Sequence, residues 1–322
     1  MPLLAEYAIT PDVFDVASYS TADECSARIE VIRDALLTEG LVRDLRSGSW
    51  SSLFNPGGRR QAPRIKTGDW PGRRKWHPRG ARLVKKLSTE QRLVTWPPMR
   101  PEPPADDAGW CVEALATHAR ASLTGGVIVT KGVKDNFPAE PIVARIDRLS
   151  SAPWWKGMQS SSVRLSRTNA DYEIHLDPVL RCSNSLMFID PHLDPTRPGY
   201  AGFGALLQRA GGRIGAPLVE IHRRVPLDQD LGKFERQFRN ALMAPLRTAG
   251  LHARVFMWGT WTRFHDRYLI SNLVGISLPD GFDTGKGRTT WARLSRDDSD
   301  DIQREFDQAS QRHRLVRSFT LP

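Results

Sequence analysis

Apolar and polar positions change rhythm near residue 160, and the elements they predict change with them. In the first half the pattern is intermittent. Thr21 opens T-A-D-E, a capping box whose hydroxyl and Glu24 carboxylate satisfy the first amides of a helix. Ile29, Ile32, Ala35 and Leu36 follow at helical spacing, and Gly40 is a fitting stop. LVRDL, Leu41–Leu45, reads as a short strand. From Ser47 to Arg82 periodicity is lost and Gly, Pro and Arg accumulate, which predicts a long basic loop or a small irregular subdomain. Pro97, Pro98, Pro101, Pro103 and Pro104 form a stiff extended connector. Asp106 or Asp107 then caps a helix over Ala108–Ala121, Gly125-Gly126 breaks it off, and Val127–Thr130 is a strand. Residues 135–160 read as a loop anchored by Trp154 and Trp155.

After residue 160 strands and helices alternate. The predicted order is a strand at Val163–Leu165, a helix over Asp171–Arg181, and a buried strand Leu186–Ile189 ending in Asp190-Pro191. A helix Phe203–Ala210, a strand Pro217–His222, a helix Lys233–Ala249 and a strand His252–Trp258 follow. The long helix places Phe234, Phe238, Leu242 and Leu246 on one face. Near the end, Ser299 is expected to cap an acidic helix, and RLVRSFTLP to add an edge strand. Alternation of this kind predicts an α/β fold: a domain over 161–322 with a mainly parallel sheet flanked by helices, preceded by a basic α+β region over 1–160. Sites in such sheets gather at the carboxyl ends of strands, where Asp190, His192, His222 and the loop after Trp258 are expected to fall.

Composition narrows the function classes. The 322 residues carry a net charge of +10. Residues 41–100 hold fifteen Arg or Lys against Asp44, Asp69 and Glu90, a local balance of +12, so the remainder carries about −2. So concentrated a charge points to nucleic acid, DNA or RNA, with an anionic membrane surface as the alternative. Arg59, Arg60, Arg64, Lys66, Arg73, Arg74, Lys75 and Trp76 are the candidate contacts. Trp50, Trp70, Trp76 and Trp96, interleaved with these cations, could stack on bases or equally anchor a core. Three cysteines without CxxC spacing give no zinc set and suit a reducing cytoplasm. No apolar run is long enough to span a bilayer, and no signal peptide is evident at the N-terminus. Walker A, GxGxxG, HExxH and serine-elbow patterns do not occur, so the sequence calls for neither cofactor nor metal.

One stretch carries more chemistry than the rest: WGTWTRFHDRYLISNLVGISLPDGFD, Trp258–Asp283. It reads as a strand or hairpin. Alternation would set Arg263, His265 and Arg267 on one face, and that much cationic character is costly unless an anion sits there. His265-Asp266-Arg267 followed by Asn272 gives H-x-R-x4-N. This resembles the phospholipase D superfamily, whose pattern is H-x-K-x4-D. The flanks MFIDPHL and VEIHRR and the turn Gly281-Phe282-Asp283 make it similar to one subgroup. That subgroup is the phospholipase D-like domain at the C-terminus of MIT-domain partners of ESCRT machinery, with its bacterial relatives in conflict systems. The resemblance spans about residues 170–284.

The resemblance implies a metal-independent phosphodiesterase or nuclease working through a phosphohistidine. His265 would be the nucleophile, Arg267 and Arg263 would hold phosphate oxygens, and Asn272 would stand where the family has Asp. Asn supplies no negative charge to activate His265. His222-x-Arg224 is a degenerate counterpart of the missing second motif. Asp190, His192, His222 and Asp283 are further candidates for the cleft. With a single good motif, hydrolysis would need a homodimer or a partner to donate the second His. The resemblance equally implies a non-catalytic adaptor binding nucleic-acid phosphates or anionic lipid. In either case a component of a bacterial anti-phage assembly is expected.

Overall fold

The computed structural model describes residues 3–54, 74–158, 160–213, 215–226, 230–259 and 265–322. The chain is an α/β protein and divides into two compact units, Leu3–Ser160 and Ser161–Pro322.

The first unit is built on five strands: β1 (Ala5–Ile9), β2 (Gly40–Asp44), β3 (Leu93–Thr95), β4 (Val127–Val129) and β5 (Val143–Arg145). All four pairings are parallel and the spatial order is β3-β2-β1-β4-β5. The unit is therefore doubly wound, and the expected α+β description is corrected to parallel α/β. The helix Ala22–Thr38 begins at Thr21, whose hydroxyl accepts from the Glu24 amide at 3.1 Å; the Glu24 carboxylate accepts from Ser20 N at 3.2 Å. Asp106 rather than Asp107 caps the helix Asp107–Arg120, accepting from Gly109 N at 2.7 Å.

The segment expected as a loop over 47–82 contributes ordered structure on both sides of residues 55–73. A helix runs Leu45–Ser52 and another Pro78–Thr89. Pro78 is compatible with a helix start because the first amides have no intrahelical partner. Gly80 is needed there, since a Cβ would meet Phe14 at 2.7 Å. The region 135–160 likewise holds β5 and the short helix Pro153–Met158.

Among the described residues the second unit has eight strands: β6 (Ser162–Ser166), β7 (Ser185–Ile189), β8 (Leu218–Val225), β9 (Ala253–Gly259), β10 (Tyr268–Ser271), β11 (Gly275–Ser277), β12 (Arg288–Arg293) and β13 (Leu315–Leu321). Their order is β13-β9-β8-β7-β10-β11-β12-β6. The parallel character is confined to the centre, β7-β8-β9; the other pairings are antiparallel. The sheet is mixed rather than mainly parallel, because the chain after β9 returns through the β10–β11 hairpin instead of a helical crossover. As expected, the final segment adds an edge strand, β13 on β9. The acidic helix is Arg296–Glu305, and its cap is Ser295 rather than Ser299.

Candidate functional site

The carboxyl ends of β7 and β8 and the start of β10 lie at one end of the second sheet. Parallel pairing aligns Ile189 with His222, and antiparallel pairing aligns Ile189 with Tyr268. His192 lies three residues beyond Ile189 and His265 three residues before Tyr268, so both leave the sheet at the same end. His265-Asp266-Arg267 precedes β10 instead of lying within a strand. The alternation that placed Arg263, His265 and Arg267 on one strand face therefore does not apply. Arg263 lies outside the described residues.

Asp190 organises this end. It is fully buried and gathers four donors. Oδ1 accepts from His192 N at 2.9 Å and faces Arg267 Nε at 3.4 Å; Oδ2 accepts from Tyr200 Oη at 3.1 Å and Phe282 N at 3.2 Å. Burial raises its carboxyl above the usual range, opposed by these partners. Arg267 also donates to the carbonyl of Pro279. The loop 278–283 is thus drawn onto Asp190 from two sides. Gly281 is required at its bend: φ is +71°, and a Cβ would run into Asp190 Oδ2 and Arg267 Cδ.

His192 and His265 are exposed at the mouth. Burial holds His192 below the ordinary imidazole value; Arg267, Arg224 and His265 push the same way and Asp190 opposes. The guanidiniums of Arg267 and Arg224 are thus near enough to His192 to be felt electrostatically. Beside it opens a cleft of about 600 Å³ lined by His192, Asp194, Arg197, Arg223, Arg224, Asp230, Lys233, Phe234 and Gln237 among others.

Three sequence candidates are placed elsewhere. Asn272 lies past the far end of β10, where Oδ1 accepts from Asn184 N at 2.8 Å and Ser185 N at 3.3 Å, fixing the start of β7. It is remote along the strand from His265. Asp283 pairs with Arg167 Nη2 at 2.5 Å, with Asp280 3.7 Å from the same guanidinium. His222 is not at a strand end, because β8 continues to Val225. It is fully buried, stacked on Phe256 at 4.7 Å, and accepts from Trp258 Nε1 at 3.1 Å.

Burial depresses His222, with Glu220 opposing. The unfolded chain therefore binds more protons below about pH 6.5, so this histidine contributes stability above that pH and loses it as pH falls toward the folded value. His222→Gln, which keeps an acceptor for Trp258, is expected to flatten the fall in Tm between neutral pH and about pH 5. Thermal melts of both proteins across that range check it; identical pH profiles would mean that His222 does not drive the loss.

In the first unit, Arg59, Arg60, Arg64, Lys66 and Arg73 lie outside the described residues. Arg74 is held by Asp15 at 3.1 Å and by Asp107, and Trp76 packs on Phe54 at 4.6 Å between ring centres. These two are occupied by the unit's own packing. Lys75 is exposed. Trp50 is fully buried against Phe14 and Phe54, which is the core-anchor role. Among the described residues no group of three metal-ligating side chains converges, and no helix is long and apolar enough to cross a membrane.

Arg223 was not singled out by its sequence position, although two adjacent arginines inside a strand are a visible signal. No family model matches the chain, and no curated protein matches it. Among solved structures it is similar to polyphosphate kinase from Porphyromonas gingivalis, at 12% identity and a TM-score of 0.34. The likeness covers 53% of this chain, which spans 30% of that one. The functional reading rests on the cleft itself.

Proposed function

We propose that the second unit binds the phosphate groups of a nucleic acid in the cleft at the ends of β7 and β8. The observation that carries this is an open cavity beside His192 that presents Arg197, Arg224 and Lys233 together, with His265 at the same sheet end. Phosphate oxygens are the chemistry that such donors serve best. The basic segment over residues 41–100 supports a polyanionic ligand, and the resemblance around His265 is the reason to look for it in an anti-phage setting.

A second reading, hydrolysis, is favoured by the two imidazoles leaving one sheet end. His265 would attack phosphorus and His192 would protonate the leaving oxygen. Binding stands first for two reasons. His192 is held toward its neutral form, which suits an acceptor rather than an acid. Arg267 is already engaged by Asp190 and Pro279.

The test is binding and cleavage of labelled single- and double-stranded DNA and RNA in EDTA, at low and moderate salt, with anionic vesicles alongside. Expected is binding whose log K falls linearly with log salt, weakened at least tenfold in the Arg224→Ala, His265→Ala double variant, without cleavage. EDTA-resistant cleavage lost in His265→Ala would establish the hydrolytic reading. Retention on vesicles with no nucleic-acid binding would overturn both in favour of a membrane surface.

A further inference from the structure

Arg223 is buried with only a long, shared counter-charge. Its side chain is 8% exposed and its guanidinium lies over the Phe234 ring at 4.3 Å, with Phe238 at 5.8 Å. Of its nitrogens, Nε reaches only the Arg224 carbonyl, at a long 3.4 Å. Nη1 makes no hydrogen bond and stands 3.9 Å from Asp194 Oδ2. That carboxylate is committed elsewhere: Oδ1 accepts from Thr196 N at 3.1 Å and Thr196 Oγ1 at 2.6 Å, and Oδ2 faces Arg197 Nε at 3.5 Å. Burial lowers the Arg223 pKa, Asp194 resisting. A guanidinium nitrogen buried without a hydrogen bond, as Nη1 is, is expensive. Replacing this arginine with an apolar side chain would remove that cost.

Arg223 also lines the 600 Å³ cleft, where the helix Leu231–Ala249 begins. The helix end does not supply the anion site by itself, because Asp230 already accepts from Gly232 N at 2.8 Å and Lys233 N at 3.1 Å. A ligand's charge must therefore be met by side chains. Among the described residues the lining contains four cations, Arg197, Arg223, Arg224 and Lys233, against the carboxylates of Asp194 and Asp230. The surplus of two positive charges suits a phosphomonoester, which carries about −1.5 to −2 at neutral pH, better than a singly charged internal phosphodiester. A monoester also presents three free oxygens to the Arg223 guanidinium that lines the cavity. An internal phosphate has chain on both sides and is held away from so buried a donor.

We propose that Arg223 anchors a subsite for a terminal phosphate, a phosphomonoester, in this cleft. This rests on the nucleic-acid reading and deepens it: the protein recognises the phosphorylated end of a strand.

The experiment compares short single strands of one sequence ending in 5′-phosphate, 3′-phosphate or hydroxyl, by fluorescence anisotropy. Wild type is set beside Arg223→Met, with thermal melts of both in AMP and in inorganic phosphate. Wild type is expected to bind one phosphate-ended strand at least tenfold more tightly than the hydroxyl-ended strand. Arg223→Met should bring the two to the same affinity while its Tm stays level or rises. A fall in Tm in the variant would mark Arg223 as structural and overturn the proposal. So would an end preference that survives in the variant. If wild type binds all strands equally, the proposal falls and the nucleic-acid reading stands. If no strand binds but AMP or inorganic phosphate raises the Tm of wild type and not of the variant, the nucleic-acid reading falls. The subsite then serves a mononucleotide or free phosphate, whichever gives the larger shift.

Discussion

Asp190→Ala is expected to destabilise the protein by about 3–5 kcal/mol and to abolish ligand binding at the cleft. Two effects oppose each other. Removing the carboxylate relieves the burial that raises its pKa. It also strands the Tyr200 hydroxyl and the amides of His192 and Phe282, and takes the counter-charge from Arg267. Each buried donor left without an acceptor costs about 1–3 kcal/mol, and three such donors outweigh the relief. The functional loss follows from geometry: the turn at His192 and the loop 278–283 are both fastened to this one side chain. Asp190→Asn keeps the volume and one acceptor oxygen, so about half the loss is expected. Urea denaturation measures both, read as a change in midpoint at constant slope. A midpoint for Asp190→Ala within the error of wild type would show that the loop is held by other contacts.

Arg43→Ala is expected to cost a similar amount, about 3–5 kcal/mol, in the first unit. The Arg43 side chain is fully buried. Nη2 pairs with Glu6 Oε2 at 3.0 Å and donates to the Ala121 carbonyl at 2.7 Å; Nη1 donates to Thr117 Oγ1 at 2.9 Å. The Trp96 ring lies 4.0 Å below the guanidinium, and its indole donates to Glu6 Oε1 at 3.1 Å. Truncating the arginine leaves the Glu6 carboxylate in the middle of β1 with its charge uncompensated. The pair as a whole is worth much less than that figure, because both groups were desolvated to make it. The double variant Arg43→Met, Glu6→Leu should therefore recover most of the stability lost by Arg43→Ala. A double variant less stable than the single one would mean that the pair itself, and not the orphaned charge, supplies the energy.

The same pair explains why the centre of the first sheet was illegible in the sequence. Ala5–Ile9 is buried on both faces, so it has no alternation, and its one acid reads as a surface residue unless Arg43, 37 positions later, is known to meet it. The helix Ala22–Thr38 and the strand after it were legible because their signals are local: a capping box, a stripe and a glycine. The helix Pro78–Thr89 was hidden because Pro78 and Gly80 look like breakers, and only the contact with Phe14 shows why Gly80 is there.

In the second unit the alternation of strands and helices was readable as far as Gly259, including the apolar face of Leu231–Ala249. The antiparallel half was readable in part: the strand at Val163–Leu165, a hairpin within Trp258–Asp283 and the final edge strand were visible, whereas β12, RTTWAR, carries no apolar periodicity of its own. At the site, Asp190, His192 and Arg267 are brought together by a hydrogen bond and an ion pair that no spacing in the sequence shows. Ending β8 three residues early moved His222 from the middle of a strand to its tip, and passed over Arg223. Only the packing of Phe234 against β8 reveals that this arginine points toward the long helix.

The strand order of the first unit has a consequence for how the chain acquires its structure. β1 is made first yet sits at the centre. Its neighbour β2 begins 35 residues later, and its other neighbour, β4, begins at Val127. During synthesis the five residues of β1, four of them apolar, must wait through most of the unit before both edges can be paired. Contacts so distant in sequence slow folding, and an unpaired apolar strand is open to wrong partners in the interval. Refolding of the first unit should accordingly be limited by the closure of β4 onto β1, long after the helix Ala22–Thr38 has formed.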